Sequence, residues 1–198
     1  MVCAMSVFIL YQYIFMLAAT KNKWVKDPAN LFVLNMVVVY AAWKAFSFYV
    51  KHSSGFMHTA WIKFIISLGA IYANVTSLVL NILGERTVHN GIEIFYPVQN
   101  KIIRVEDHCL AIPATVIFVG TIALFRGNWK DKIWFIPMGI FFIAVINILR
   151  LIFVCETFVY FTKRFFEINH TVIYVVITYA LIFILIIWWM KKFAGQKK

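Results

Sequence analysis

The chain has 198 residues, of which 63% are hydrophobic and only 14% are charged, with a formal net charge of +11. So much apolar surface excludes an ordinary soluble domain of this size and indicates a protein whose solvent is the bilayer. The positive charge does not indicate nucleic-acid binding, because the basic residues collect at the ends of apolar runs and no recognition motif is present.

A spanning helix needs roughly 20 predominantly apolar residues. The sequence therefore predicts an all-α polytopic membrane protein with about six transmembrane helices in a single membrane domain over 1–198. The predicted spans are 2–20, 31–50, 60–83, 109–125, 133–154 and 171–190. Residues 2–20 lack a basic n-region and a small-residue cleavage site, so we expect a retained helix and not a signal peptide. We divide the domain into N-terminal helices over 1–83, a core over 84–190 and a basic cytoplasmic tail over 191–198.

The one long connection, 84–108, carries an Asn90-Gly91 pair between short β-like runs. Asn-Gly flanked by such runs is the strongest local signal for a hairpin. We expect a small β-hairpin-like element on the membrane surface.

Basic residues near span ends predict which side of the membrane each loop faces. The 126–132 loop and the tail are both strongly basic and two spans apart, so both are predicted to be cytoplasmic. The 84–108 loop and the 162–170 turn then face outward. With six spans, this assignment also places Lys21, Lys23 and Lys26 outside, against the same rule.

Three chemically active side chains converge under this topology. Cys109 opens the fourth predicted span from the outer side, and His170 opens the sixth from that side. Arg150 lies about 17 residues, or roughly 25 Å of helical rise, beyond the start of the fifth span, close to the outer edge of a hydrocarbon core about 30 Å thick. We therefore expect all three at one depth.

Such a cluster favours acyl transfer. A thiolate is the nucleophile, and a nearby cation or imidazole lowers the pKa of its thiol. His170 could accept the thiol proton and return one to a leaving amine. Arg150 could stabilise an oxyanion, and Asn147, one turn earlier, could orient the guanidinium.

The order of a cysteine opening one span, Asn147-x-x-Arg150 in the next, and a histidine opening the one after resembles the exosortase/archaeosortase family, over roughly residues 84–190. That resemblance implies an integral-membrane cysteine peptidase or transpeptidase of the prokaryotic cytoplasmic membrane, with Cys109, Arg150 and His170 as catalytic residues at the outer face. It implies partners as well: secreted proteins with a C-terminal sorting signal (a short motif, a membrane helix and a basic tail), and an unknown acyl acceptor. We expect no cofactor and no metal, because the histidines and cysteines lack zinc-ligand spacing.

Other interpretations of these residues stay open. Cys109 could form a disulfide with Cys155, Arg150 could pair with Glu156, and His108 could replace His170 as the base if the chain around it is not helical. The whole protein could also be a non-enzymatic transporter or channel component, or a scaffold of an envelope polysaccharide-export system.

Overall fold

The computed structural model describes residues 28–125, 127–160, 174–189 and 191–192. These residues are mostly helical, and one small antiparallel sheet interrupts the helices. The helices are α1 (Pro28–His52), α2 (Phe56–Ile82), α3 (Ile112–Leu124), α4 (Trp129–Tyr160) and α5 (Tyr174–Trp189). The strands are β1 (Val88–Asn90), β2 (Glu93–Tyr96) and β3 (Lys101–Arg104), and a 3-10 turn covers Asp107–Cys109.

The apolar helices agree with a membrane protein, but a count of six spans is not supported. Three described helices, α1, α2 and α4, are long and apolar enough to cross a bilayer. The predicted span 109–125 is shorter than expected, because α3 has 13 residues, or roughly 20 Å of rise. The predicted span 2–20 lies outside the described residues.

The start of α3 explains its length. Ala111 has a left-handed backbone conformation (φ 52°), which breaks helical geometry directly after the Asp107–Cys109 turn. Pro113 then lies in the first helical turn, where its missing N–H costs no hydrogen bond. Cys109 consequently lies in the turn that precedes the helix and does not open the helix itself.

Helices α1, α3, α4 and α5 pack around a shared aromatic core. Phe32 of α1 meets Phe125, just after α3, edge to face at 6.1 Å between ring centroids. Phe135 of α4 lies 5.8 Å from the Phe118 ring and 4.7 Å from the Trp189 ring. We call this end of the bundle, where α3 connects to α4 and where α5 ends, the basic end.

The predicted hairpin is confirmed. Strands β1 and β2 pair antiparallel with Asn90 opposite Glu93, so Gly91 and Ile92 form a two-residue turn. Gly91 has φ +57°, which glycine adopts without a steric penalty. A third strand, β3, pairs with β2 and was not predicted.

The sheet packs on the last turns of α4, and we call this the sheet end of the bundle. Lys101 Nζ donates to the carbonyl oxygens of Phe158 (3.1 Å) and Val159 (2.8 Å) in the last turn of α4. The Tyr160 hydroxyl donates to Glu85 at 2.8 Å. A cation is favourable at a helix C-terminus, so Lys101 stabilises both the end of α4 and the position of the sheet.

Lys132 is a buried cation that the sequence did not reveal. We had placed it in a basic loop, but it lies inside the first turns of α4 and is only 4% exposed. Its Nζ donates to the Ala123 carbonyl at 2.9 Å and to the Phe125 carbonyl at 2.6 Å, at the end of α3. Lys132 therefore caps α3 from the neighbouring helix.

Candidate functional site

Cys109 lies in the 3-10 turn between the sheet and α3. Its backbone N–H donates to the Glu106 carbonyl at 2.9 Å, which closes the turn. The side chain is only 6% exposed and belongs to a hydrophobic cluster with Leu110, Leu151 and Cys155. The thiol thus faces the protein interior at the sheet end of the bundle.

Asn147 joins α4 to this turn. It is completely buried, and its Nδ2 donates to the backbone carbonyl of Cys109 at 2.7 Å. The Tyr72 hydroxyl of α2 interacts with the same side-chain amide, and Asn147 Oδ1 has no hydrogen-bond donor among the described residues. Three segments far apart in sequence therefore meet at Asn147.

Arg150 follows Asn147 by one helical turn and is partly buried. Its guanidinium interacts electrostatically with the Cys109 thiol and with the Tyr179 hydroxyl of α5. Its Nε is buried without a hydrogen-bond partner among the described residues. Within the described residues, one buried donor and one buried acceptor, on residues a helical turn apart, thus lack a partner.

The alternative ion pair between Arg150 and Glu156 is not present within the described part of the chain. Glu156 instead accepts a hydrogen bond from the Tyr96 hydroxyl at 3.4 Å.

The acidity of Cys109 reflects opposing effects. Burial raises the pKa of the Cys109 thiol above its usual value, and a backbone hydrogen bond at Glu106 and the positive charge of Arg150 lower it only in part. The net direction is upward, because a thiolate is poorly solvated in apolar surroundings. The turn thus holds a protonated thiol at neutral pH, which needs a base in order to react.

The base expected from the sequence, His170, lies outside the described residues, so its distance from Cys109 stays a prediction. The substitute, His108, is 55% exposed, and its Nδ1 lies 3.7 Å from Glu106 Oε2 and 3.5 Å from Asp107 Oδ1. It faces solvent and carboxylates, whereas the adjacent thiol is buried. The geometry therefore does not favour His108 as the partner of Cys109 in this conformation.

Cys155 and Cys109 are both free, buried thiols, so the alternative disulfide between them is not formed. Cys155 is completely buried in the same cluster as Cys109. Cys3 lies outside the described residues. Within those residues, no group of three or more His, Cys, Asp or Glu side chains is placed to hold a metal ion.

Two features beside the site were not predicted. Asp107 forms an ion pair with Lys51 at 3.3 Å, and this pair ties the turn to the end of α1. The Lys51 pairing and a backbone hydrogen bond from His108 lower the pKa of Asp107 despite its partial burial, which acts in the opposite direction. A cavity of about 270 Å³ opens next to this pair, and Trp43, Trp61 and Pro113 contribute to its walls.

Comparison with models of known protein families, with curated proteins and with solved structures returned no match for this chain.

Proposed function

We propose that this protein is a membrane-embedded cysteine peptidase or transpeptidase of the exosortase/archaeosortase type, with Cys109 as nucleophile, Arg150 as the oxyanion-stabilising group and His170 as the base. The hydrogen bond from Asn147 to the Cys109 carbonyl is the observation that carries the proposal. It couples the cysteine turn to the Asn-x-x-Arg segment that the resemblance is based on.

The unsatisfied polar atoms support the same assignment. Buried donors and acceptors almost always find a partner, so an exception needs an explanation. Arg150 Nε and Asn147 Oδ1 are such exceptions in the described part of the chain, and Asn147 contacts the Cys109 backbone. The backbone of a bound peptide offers both a carbonyl acceptor and an N–H donor, and it would satisfy both atoms.

The proposed reaction proceeds through a thioester. His170 accepts the Cys109 proton, and the thiolate attacks the carbonyl carbon of the scissile peptide bond. The oxygen gains negative charge, which the Arg150 guanidinium stabilises. The C–N bond then breaks as the protonated imidazole returns its proton to the leaving amine. Water or a second nucleophile then attacks the thioester, releases the acyl group and regenerates the thiol.

The raised pKa of Cys109 fits a nucleophile that becomes activated only when substrate binds. In apolar surroundings the thiol stays protonated and unreactive toward water-soluble electrophiles. A base brought close by substrate binding would then start the reaction. We therefore expect slow alkylation of the resting protein and faster trapping in the presence of a substrate peptide.

The test compares two matched thiol variants, Cys109→Ala and Cys155→Ala. Cys155 lies in the same buried cluster and has no role in the proposed chemistry. We expect Cys109→Ala to insert normally and to abolish trimming of the C-termini of exported proteins, measured by mass spectrometry of cells expressing each variant. Cys155→Ala should retain trimming. Normal trimming by Cys109→Ala would refute the proposal.

A second candidate function is a transporter component in which Arg150 binds an anionic solute. Its buried Nε without a partner in the described region is the observation that favours it. Flux of an anion into proteoliposomes that Arg150→Ala abolishes and Cys109→Ala leaves intact would support this candidate over the peptidase.

A further inference from the structure

Helices α1 and α4 point in the same direction, because both run antiparallel to α3. Phe32 near the start of α1 packs on Phe125 after the end of α3, and Lys51 near the end of α1 pairs with Asp107 before the start of α3. The C-terminal part of α1 therefore lies at the sheet end.

The same relationship holds for α4. It follows α3 after a short connection, its residue Phe135 contacts Phe118, and its residue Asn147 contacts the Cys109 carbonyl. The last turns of α4 therefore also lie at the sheet end, where they carry the sheet. The C-terminal ends of α1 and α4 are thus on one side of the bundle.

Helix α2 connects these two ends. It starts at Phe56, four residues after the last residue of α1, and His58 Nδ1 lies 3.0 Å from the Val50 carbonyl. Just beyond its end, Glu85 accepts a hydrogen bond from Tyr160, the last residue of α4. Both ends of α2 are therefore at the sheet end, although its length and composition suit a transmembrane span.

The two faces of α2 differ in their surroundings. The buried face packs on the sheet and on α4, and it consists of Gly69, Ala73, Thr76, Ser77 and Leu80. A stripe on the opposite face is between 49% and 60% exposed and repeats every seven residues: Met57, Phe64, Ile71 and Leu78. A seven-residue spacing keeps side chains on one side of a helix. Met57 and Phe64 border a cavity that they share with Phe46 and Val50 of α1, and all four side chains of the stripe stay about half exposed.

We propose that α2 does not cross the bilayer but lies within the leaflet at the sheet end, with the Met57–Phe64–Ile71–Leu78 stripe against the acyl chains. Lipid is the occupant that the surroundings favour, because the stripe carries no charge and α1 and α4 also expose many large apolar side chains. Interfacial helices usually present one apolar face to lipid and a polar face to water. In this protein the sheet and α4 cover the second face.

The distribution of basic residues supports the proposal independently. The start of α1 lies at the basic end with Lys130, Lys191 and Lys192, and the sequence directly before α1 carries Lys21, Lys23 and Lys26. Under the six-span assignment those three lysines were on the opposite side. The basic clusters before α1, at the start of α4 and after α5 then agree with the positive-inside rule, with the basic end in the cytoplasm.

The test is cysteine labelling of the full-length protein in right-side-out and inside-out membrane vesicles with a membrane-impermeant maleimide. Ser54→Cys reports on the connection before α2, His89→Cys on the hairpin after it, and Lys130→Cys on the basic end; all three positions are exposed. The parent protein, labelled in parallel, gives the background from the native thiols. Val98→Cys, at an exposed position of the same loop, repeats the measurement if His89→Cys fails to insert.

We expect Ser54→Cys and His89→Cys to react in the same vesicle orientation, and Lys130→Cys in the other. Reaction of Ser54→Cys and His89→Cys in opposite orientations would overturn the proposal, because α2 would then cross the membrane. The result does not depend on any enzymatic activity, so it stands or fails separately from the peptidase assignment.

A second measurement tests the lipid contact itself. A nitroxide attached at Ile71→Cys should collide more often with dissolved oxygen, which concentrates in lipid, than with a water-soluble nickel complex, whereas a nitroxide at Ser54→Cys should show the reverse preference. If the nitroxides at positions 71 and 54 both collided more often with the nickel complex than with oxygen, the stripe would lie in water and the lipid contact would be refuted.

Discussion

The side-chain amide of Asn147 holds the backbone of Cys109 through a 2.7 Å hydrogen bond inside the protein. The two residues are 38 positions apart in sequence, and α3 and the first half of α4 separate them. This contact sets the depth of the cysteine turn relative to Arg150.

Removing this amide should loosen the turn. Asn147→Ala leaves the buried Cys109 carbonyl without its donor, which costs about 1–3 kcal/mol. We expect a lower midpoint of thermal unfolding in detergent and faster alkylation of Cys109 in the folded protein. Leu149→Ala is the matched control, because that side chain is 60% exposed on the same helix. A variant as stable as the parent, with unchanged alkylation, would show that the hydrogen bond does not hold the turn.

Arg150 should control the acidity of Cys109. Its charge lowers the pKa of the thiol, in opposition to burial, so Arg150→Gln should raise that pKa further. The pH profile of Cys109 alkylation by iodoacetamide should then move to higher pH. At a fixed pH well below the pKa, the thiolate fraction falls about tenfold for each unit by which the pKa rises. Arg150→Lys keeps the charge and should move the profile less. A profile that moves to lower pH in Arg150→Gln would contradict this electrostatic role.

Lys132 should stabilise the junction of α3 and α4. Replacing it by methionine retains much of the side-chain volume but leaves the Ala123 and Phe125 carbonyls without their donor. We expect a loss of about 1–3 kcal/mol in the free energy of unfolding, measured by denaturant titration in detergent. Lys130→Met, at an exposed position two residues earlier, should change it little. Equal effects of the two substitutions would mean that Lys132 acts only through net charge.

Gly139 should tolerate no side chain. A Cβ at this position would overlap the ring of Phe118, which is fully buried and cannot move aside. Overpacking of this kind costs about 1–3 kcal/mol, more than the gain of about 1 kcal/mol from replacing a helical glycine by alanine. We therefore expect Gly139→Ala to unfold at a lower temperature than the parent. Gly55→Ala is the control, since its Cβ would meet no atom within 4 Å. A more stable Gly139→Ala variant would contradict the close approach of α3 and α4.

Much of this architecture could be predicted because its causes are local. Long apolar runs indicate membrane helices, and α1, α2 and α4 appear where hydropathy predicts them. The Asn90-Gly91 pair predicts the hairpin, because a glycine with positive φ permits the tight turn. Counting helical rise predicted Arg150 near the depth of Cys109, and the structure shows that Asn147, one turn before Arg150, contacts the Cys109 carbonyl. The catalytic roles of Cys109, Arg150 and His170 stay predictions.

The direction of α2, the burial of Lys132 and the ion pair between Lys51 and Asp107 were decided only by tertiary contacts. Hydropathy is summed along the chain and states how apolar a segment is, but not whether its two ends lie on opposite sides of a bundle. That depends on which distant groups each end meets, here Val50 at one end of α2 and Tyr160 near the other. Likewise, a lysine beside an apolar run has the same sequence signature whether it reaches the headgroups or caps a neighbouring helix. Composition and local pattern therefore determined the elements of this protein, and non-local packing determined how they are arranged around Cys109.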